Sequence, residues 1–283
     1  MRRTSLLLVA LAFAAASRGA RAGPPTPILV ELFTSEGCSD CPPADALLEK
    51  LTASQPISGV EIIGLGQHVD YWDRLGWKDR FSSAALTSRQ QLYGARFNID
   101  TIYTPQMVVD GRVAFVGSDT NAARRAIERA LTSPHGVVRI DIDSNVGRPF
   151  QGRQNLQDRQ DGDPERVALH LTERVALQVT VSDLPRLGRG DRADIVVAVT
   201  EGDLRSDVKR GENHGRTLTH AAVVRYMATI GQAVSDGVSS ARADIPLAAD
   251  WQRDRLKLVA FVQELRGRAI LASASVSLQN ARW

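Results

Sequence analysis

Thr34-Ser-Glu-Gly-Cys38-Ser-Asp-Cys41-Pro-Pro43 holds both cysteines of the chain, and the sequence changes its periodicity across it. Before it, residues 28–33 are an apolar run broken only by Glu31 and bounded by Pro27, Ser35 and Gly37, which predicts a central strand. After it, Ala44, Leu47, Leu48 and Leu51 recur at helical spacing. Pro42 and Pro43 suit a first turn, whose N–H groups need no intrahelical partner. Cys38 is thereby placed at or just before a helix N-terminus and Cys41 in its first turn, where the helix dipole and free N–H groups favour a thiolate. A Cys-x-x-Cys at a strand-to-helix turn fits a dithiol/disulfide couple, one sulfur attacking and the other resolving the mixed disulfide. A structural crosslink is the alternative, although closing so short a loop stabilises by only about 2 kcal/mol, against about 3 for a fifteen-residue loop. A soft-metal pair comes third, since such sites want more ligands and there is no further cysteine.

Residues 1–22 combine Arg2 and Arg3, an apolar run over 6–16 and Ala20-Arg-Ala22, the pattern of a secretory signal peptide cleaved after Ala22. That predicts a periplasmic or secreted protein, in a compartment where disulfides persist. No other stretch is long and apolar enough for a membrane span. The chain has 35 Lys and Arg against 32 Asp and Glu, but four of the arginines lie in residues 1–22, leaving 31 basic against 32 acidic side chains. A near-neutral mature chain removes the electrostatic case for nucleic acid as a partner. About 260 mature residues suggest two domains.

Along the chain, residues 60–66 read as a second strand with a right-handed parallel crossover from the first. His68-Val-Asp-Tyr-Trp72-Asp and Leu75-Gly-Trp77-Lys-Asp79 follow, rich in side chains that often line binding surfaces. Trp72 and Trp77 are therefore candidate substrate contacts; the blander reading has them pinning a loop while the aspartates cap turns. His68 is a ligand or base, or an ordinary hydrogen-bonded histidine. Residues 88–97 read as a helix, Asp110-Gly111 as the turn of a hairpin, and a last helix follows, capped by Ser118 or Asp119, with Ala123, Ile127, Ala130 and Leu131 on its apolar face.

This order of elements resembles the thioredoxin fold over residues 27–134, in which a cis-proline faces the Cys pair. The resemblance implies a cis bond at Pro105 and a Thr104 backbone presented to a bound peptide; without it, Pro105 is a turn entering an edge strand. It also implies that Glu31, on the strand before the redox turn, shuttles a proton to and from Cys41, an outward-facing or hydrogen-bonded glutamate being the alternative. More closely, the strings at 30–45, 68–79, 103–111 and Gly211-Glu-Asn-His-Gly-Arg-Thr-Leu-Thr-His220 are similar to a domain-of-unknown-function family, number 1223, of secreted thioredoxin-like proteins. Such a family brings no established reaction.

In the C-terminal half, residues 147–166 form a long polar loop. The β-type segments at 137–143, 167–171, 175–181, 193–200, 256–263 and 269–278 suggest an antiparallel sandwich. The Gly-rich knot at 209–216 is a receptor for a carboxylate or peptide backbone, or a structural turn in which Asn213 and Arg216 satisfy carbonyls. The expectation is an α/β thioredoxin-like domain (27–134) followed by an all-β sandwich-like domain (135–283). Its function would be thiol–disulfide exchange on protein or small-molecule thiols, with Cys38 as nucleophile, Cys41 resolving, Pro105 and Thr104 as the substrate platform and Glu31 shuttling the proton. No cofactor and no metal site are assigned. The alternatives are a non-enzymatic binding module with a structural disulfide and, after it, a metal-handling protein.

Overall fold

The computed structural model describes residues 23–143 and 173–280. The expected signal peptide, the polar loop at 147–166 and the strand at 167–171 lie outside them. The apolar run before the cysteines forms β1 (Thr26–Thr34), the helix after them α1 (Pro42–Ser54), and then come β2 (Val60–His68) and α2 (Ala84–Phe97). The Asp110-Gly111 hairpin joins β3 (Gln106–Val109) to β4 (Val113–Val116), and α3 (Thr120–Leu131) follows, with Asp119 as its N-cap accepting from the Ala122 N–H at 2.9 Å. The second half is built of strands: β5 (Val137–Ile142), β6 (Glu173–Ser182), β7 (Ala193–Glu201), β8 (Leu204–Asp207), β9 (Thr217–His220), β10 (Val223–Ala233), β11 (Ser239–Leu247), β12 (Leu256–Glu264) and β13 (Ile270–Ser277).

These strands do not divide into the α/β thioredoxin-like domain and separate sandwich expected above. The described chain is mostly β. Strands of both halves share one mixed eight-stranded sheet in the order β13-β12-β7-β10-β2-β1-β3-β4, with three α-helices in all among the described residues. The junction is the parallel contact of β2 with β10, where Gly66 registers with Val223 and the Gly66 N–H donates to the Ala222 carbonyl at 2.7 Å. Nothing local announces a pairing between segments so far apart in sequence, so reading element by element separates the two halves into different bodies.

Strand alternation sorts the side chains onto two faces. Val30 and Leu32 point to one face, into a core with Leu47, Leu48 and Leu51 of α1 and Ile127 of α3. Leu29, Ile63 and Leu65 point to the other, packing with Leu86 of α2 and with Val196 of β7 and Phe261 of β12. The remaining strands order β11-β6-β5 in a small antiparallel sheet, which packs Leu177, Val179 and Ile245 against Ile195, Val197 and Leu258 of the large sheet. Sheet-on-sheet packing is thus present, but only against one end of a sheet that continues past it. β8 and β9 form a separate hairpin whose tip, residues 208–216, is closed by bonds between Val208 and both Gly215 and Arg216.

A Cβ on Gly66 would lie 2.9 Å from the Ala221 carbonyl oxygen, closer than β2 and β10 can tolerate. Gly66→Val is therefore expected to destabilise the whole chain by about 1–3 kcal/mol. Urea unfolding followed by far-UV dichroism and tryptophan fluorescence checks this, and an unchanged midpoint would refute the role given to the junction.

Candidate functional site

Cys38 and Cys41 form a disulfide with their Cα atoms 5.4 Å apart. Cys41 is the N-cap residue of α1, with Pro42 and Pro43 in the first two helical positions, and its carbonyl accepts from the Ala44 and Asp45 N–H groups. Both cysteines are buried, Cys38 at 1% and Cys41 at 0% exposure, while Ser39 and Asp40 between them face solvent.

The tip of the β8–β9 hairpin covers this turn. The Asn213 side-chain amide, fully buried, donates to the carbonyls of Glu36 and Cys38 at 2.9 Å each, and its own oxygen accepts from Arg216 at 3.0 Å. Glu212 accepts from the Ser39 N–H at 3.0 Å. In the Gly-rich knot Asn213 thus satisfies carbonyls, as in the second of its two sequence readings, and those carbonyls belong to the cysteine turn, whereas Arg216 holds the Asn213 side chain rather than a carbonyl.

Beneath the turn lies a buried ionisable cluster. His68 Nδ1 is 2.6 Å from Asp79 Oδ2, and Asp79 also accepts from the Glu36 and Phe81 N–H groups at 2.9 Å. Burial alone would raise the Asp79 pKa, but His68 and these amides outweigh it and hold it below its ordinary value. Glu36 accepts from the Trp77 indole at 2.7 Å, and Asp45 accepts from the Thr34 hydroxyl at 3.1 Å. His220, at the end of β9, sits between them, Nε2 3.3 Å from Glu36 Oε1 and Nδ1 3.9 Å from Asp45 Oδ1. Burial alone would lower the His220 pKa; the two carboxylates outweigh it and raise it to about 9. The His68 and His220 rings meet edge to face at 4.7 Å.

The geometry brings together residues from three of the sequence strings singled out above, 30–45, 68–79 and 211–220. No curated protein matches the chain. A family model does: that of a protein of unknown function, DUF1223, over residues 29–181 and 153–263. The chain belongs to the DUF1223 family. Among solved structures it is similar to protein AGR_C_4864 from Agrobacterium tumefaciens, at 22% identity and a TM-score of 0.65, covering 93% of this chain and 99% of that one. It is also similar to HBP35 of Porphyromonas gingivalis, at 14% identity and a TM-score of 0.56, covering 92% and 78%. At these identities the likeness concerns the fold.

The other candidate residues of this DUF1223 protein fall as follows. The Thr104–Pro105 bond is cis, and the Trp72 indole donates to the Thr104 hydroxyl at 2.8 Å. Trp72 also flanks the cysteine turn, since a Cβ on Gly37 would lie 3.1 Å from the Trp72 Cβ. Trp77 holds Glu36 and backs onto Gly211 of the hairpin tip. His214, on the hairpin tip, is exposed, whereas His220 is buried. Glu36, Asp45, Asp79 and Asn213 carry no functional signal of their own in the sequence, although each lies in a family string; only the fold gathers them.

Glu31 is placed otherwise than expected. It shares a face with Leu29 and Phe33, toward α2, whereas α1 and Cys41 pack on the side of Val30 and Leu32. Its carboxylate, fully buried, accepts from Arg89 Nε at 2.6 Å and Arg89 Nη2 at 2.9 Å, and from the Gln67 amide and the Tyr93 hydroxyl. Burial alone would raise its pKa, but the Arg89 charge and these hydrogen bonds outweigh it and lower it. Glu31 is a fixed anion on the far side of the sheet, not a group poised to exchange protons with Cys41.

A depressed carboxylate contributes stability that is present above its unfolded value, 4.5, and is lost as pH falls through the lower folded value. Urea midpoints are thus expected to fall below pH 4.5 in the wild type and to fall less steeply in Glu31→Gln. Arg89→Ala, which strands a buried charge, is expected to cost about 3–5 kcal/mol at neutral pH. Parallel pH profiles for wild type and Glu31→Gln would remove the assignment.

Proposed function

We propose that the protein carries out thiol–disulfide exchange through Cys38 and Cys41, on a protein or small-molecule thiol, in the cell envelope or outside the cell. The observation that carries this reading is the disulfide itself, closed across a Cys-x-x-Cys turn at the N-cap of α1, where an emerging thiolate meets the positive end of the helix. A substrate thiolate attacks Sγ of Cys38, the Cys38–Cys41 bond breaks, and Cys41 leaves as a thiolate. A second substrate thiolate then attacks the substrate sulfur of the mixed disulfide and releases Cys38 as a thiolate. The substrate is oxidised by two electrons and the pair reduced by two; run backwards, the same steps reduce a substrate disulfide. Thr104 and Pro105, tied by Trp72 to the flank of the turn, are the surface along which a substrate backbone would lie.

Both cysteines are buried and the β8–β9 tip is bonded to the backbone of their turn, so in this reading exchange proceeds when the tip lifts, with Asn213 as the latch. The same burial supports a second reading, a non-enzymatic binding module with a structural disulfide. Trapping separates them. In the reductive direction the Cys38 thiolate attacks a substrate disulfide, one substrate sulfur leaves as a thiolate, and Cys41 resolves the mixed disulfide, so Cys41→Ser accumulates mixed disulfides with a partner and Cys38→Ser does not. Absent or equal trapping on non-reducing gels would leave the binding-module reading standing.

The latch has its own test. Removing two buried hydrogen bonds of about 1 kcal/mol each makes local opening roughly ten-fold or more easier, so Asn213→Ala should be reduced by dithiothreitol faster by that factor. Equal rates in stopped-flow fluorescence would mean that the tip does not gate the disulfide.

A further inference from the structure

We propose that Asp45, His68 and His220 form a binding site for a divalent first-row transition metal ion, Zn²⁺ or a close relative, buried under the Cys38–Cys41 turn. Each residue offers one ligand atom, and these atoms all lie within 4.8 Å of one another. Two imidazoles and a carboxylate are the borderline donor set such ions take, and three protein ligands leave a fourth position for water or another molecule.

The surroundings support the assignment atom by atom. Metal-bound histidines characteristically give their second nitrogen to a carboxylate, which fixes the ring and raises its basicity. His68 has that arrangement, Nδ1 against Asp79, which leaves Nε2 as the ligand atom. His220 points Nε2 toward Glu36, itself held by the Trp77 indole, and Nδ1 toward Asp45. Asp45 keeps one oxygen on the Thr34 hydroxyl and turns the other, Oδ1, toward His220. His68 and Asp45 thus each have an outer hydrogen-bond partner on the atom the metal would not use, and His220 Nε2 has Glu36 at ion-pair distance.

A second observation is independent of the spacing. His220 is 3% exposed, yet neither of its ring nitrogens makes a hydrogen bond; the carboxylates lie at ion-pair distance without hydrogen-bond alignment. Glu36 Oε1, also buried, lacks a hydrogen bond too. Orphaned buried polar atoms are costly and call for a partner. A divalent cation among these atoms gives His220 Nδ1 the partner it lacks.

The test uses the untagged full chain, oxidised so that no thiolate competes, stripped with chelator and titrated with ZnCl₂ by calorimetry. One equivalent should bind with a Kd below about 10 μM. Asp45→Asn keeps the side-chain size and the Thr34 contact and should weaken binding at least ~10-fold, as should Glu36→Gln, an outer partner, by about 10–100-fold. His214→Gln, on the exposed hairpin tip, should change nothing. If Asp45→Asn does not fold, as judged by far-UV dichroism, X-ray absorption of the Co²⁺-loaded wild type decides: imidazole bound to the metal supports the site, its absence overturns it. Failure of the wild type to bind one equivalent, or an equal loss in His214→Gln, would also overturn it and leave His220 balanced by its own proton. The proposed site contains no sulfur, so these outcomes stand apart from whether the cysteine pair exchanges with substrate.

Discussion

The parallel contact between β2 and β10 is short, a single registered pair and the Gly66 N–H on the Ala222 carbonyl, yet the arrangement around the cysteines depends on it. β9 ends at His220, just before Ala222. Fixing Ala222 against β2 therefore fixes where His220 enters the cluster and where the β8–β9 hairpin lies. From there the hairpin tip reaches the cysteine turn, and Asn213 closes on carbonyls 175 and 177 residues away in sequence. Gly66 is glycine because the incoming backbone occupies the space of a Cβ.

Two groups of buried charges lie on opposite faces of the sheet and solve the same problem differently. On the α2 face, Glu31 is matched by Arg89 in a bidentate pair, with Gln67 and Tyr93 completing its oxygens. Arg89 extends the network to Gln263 of β12, so the pair also ties the first half to the second. On the α1 face, His68 closes its bond to Asp79, but His220 stands between Glu36 and Asp45 without closing one. The Glu31 carboxylate has partners on both oxygens, although Gln67 Oε1 beside it has none, whereas neither ring nitrogen of His220 makes a hydrogen bond, and a partly satisfied network keeps an unmet demand. The contrast within one sheet is what marks the His68–His220 cluster as chemically open.

Local features of the chain are legible in its sequence. The change of periodicity across Thr34 to Pro43 marks β1 and α1, Asp110-Gly111 the hairpin, and Asp119 the cap of α3, because each depends on neighbours a few residues apart. The segments 175–181, 193–200 and 256–263 read as strands for the same reason. β10 and β11 mix polar and apolar residues and leave no such trace. The architecture is not legible, because a sheet continuous through residues 66 and 222 has no signature within either half. Glu31 is misassigned for a related reason: alternation tells which side chains share a face with it, but not which helix covers that face. The strings at 30–45, 68–79 and 211–220 hold nearly the whole candidate site, scattered until the fold brings them to one place.

The sharing of the sheet has a practical consequence for dissecting the molecule. A fragment ending after α3 would keep every cysteine and most of the residues around them, and would look like a natural unit to express. It would also strip β10 from β2, baring a strand edge lined by Ile63 and Leu65, the kind of edge that recruits other chains into aggregates. The Glu36 and Cys38 carbonyls would lose their cap, and Arg89 its hold on Gln263. Chemistry measured on such a fragment would report on an uncovered turn with different access and different neighbours. For this protein, the smallest faithful specimen is the whole sheet.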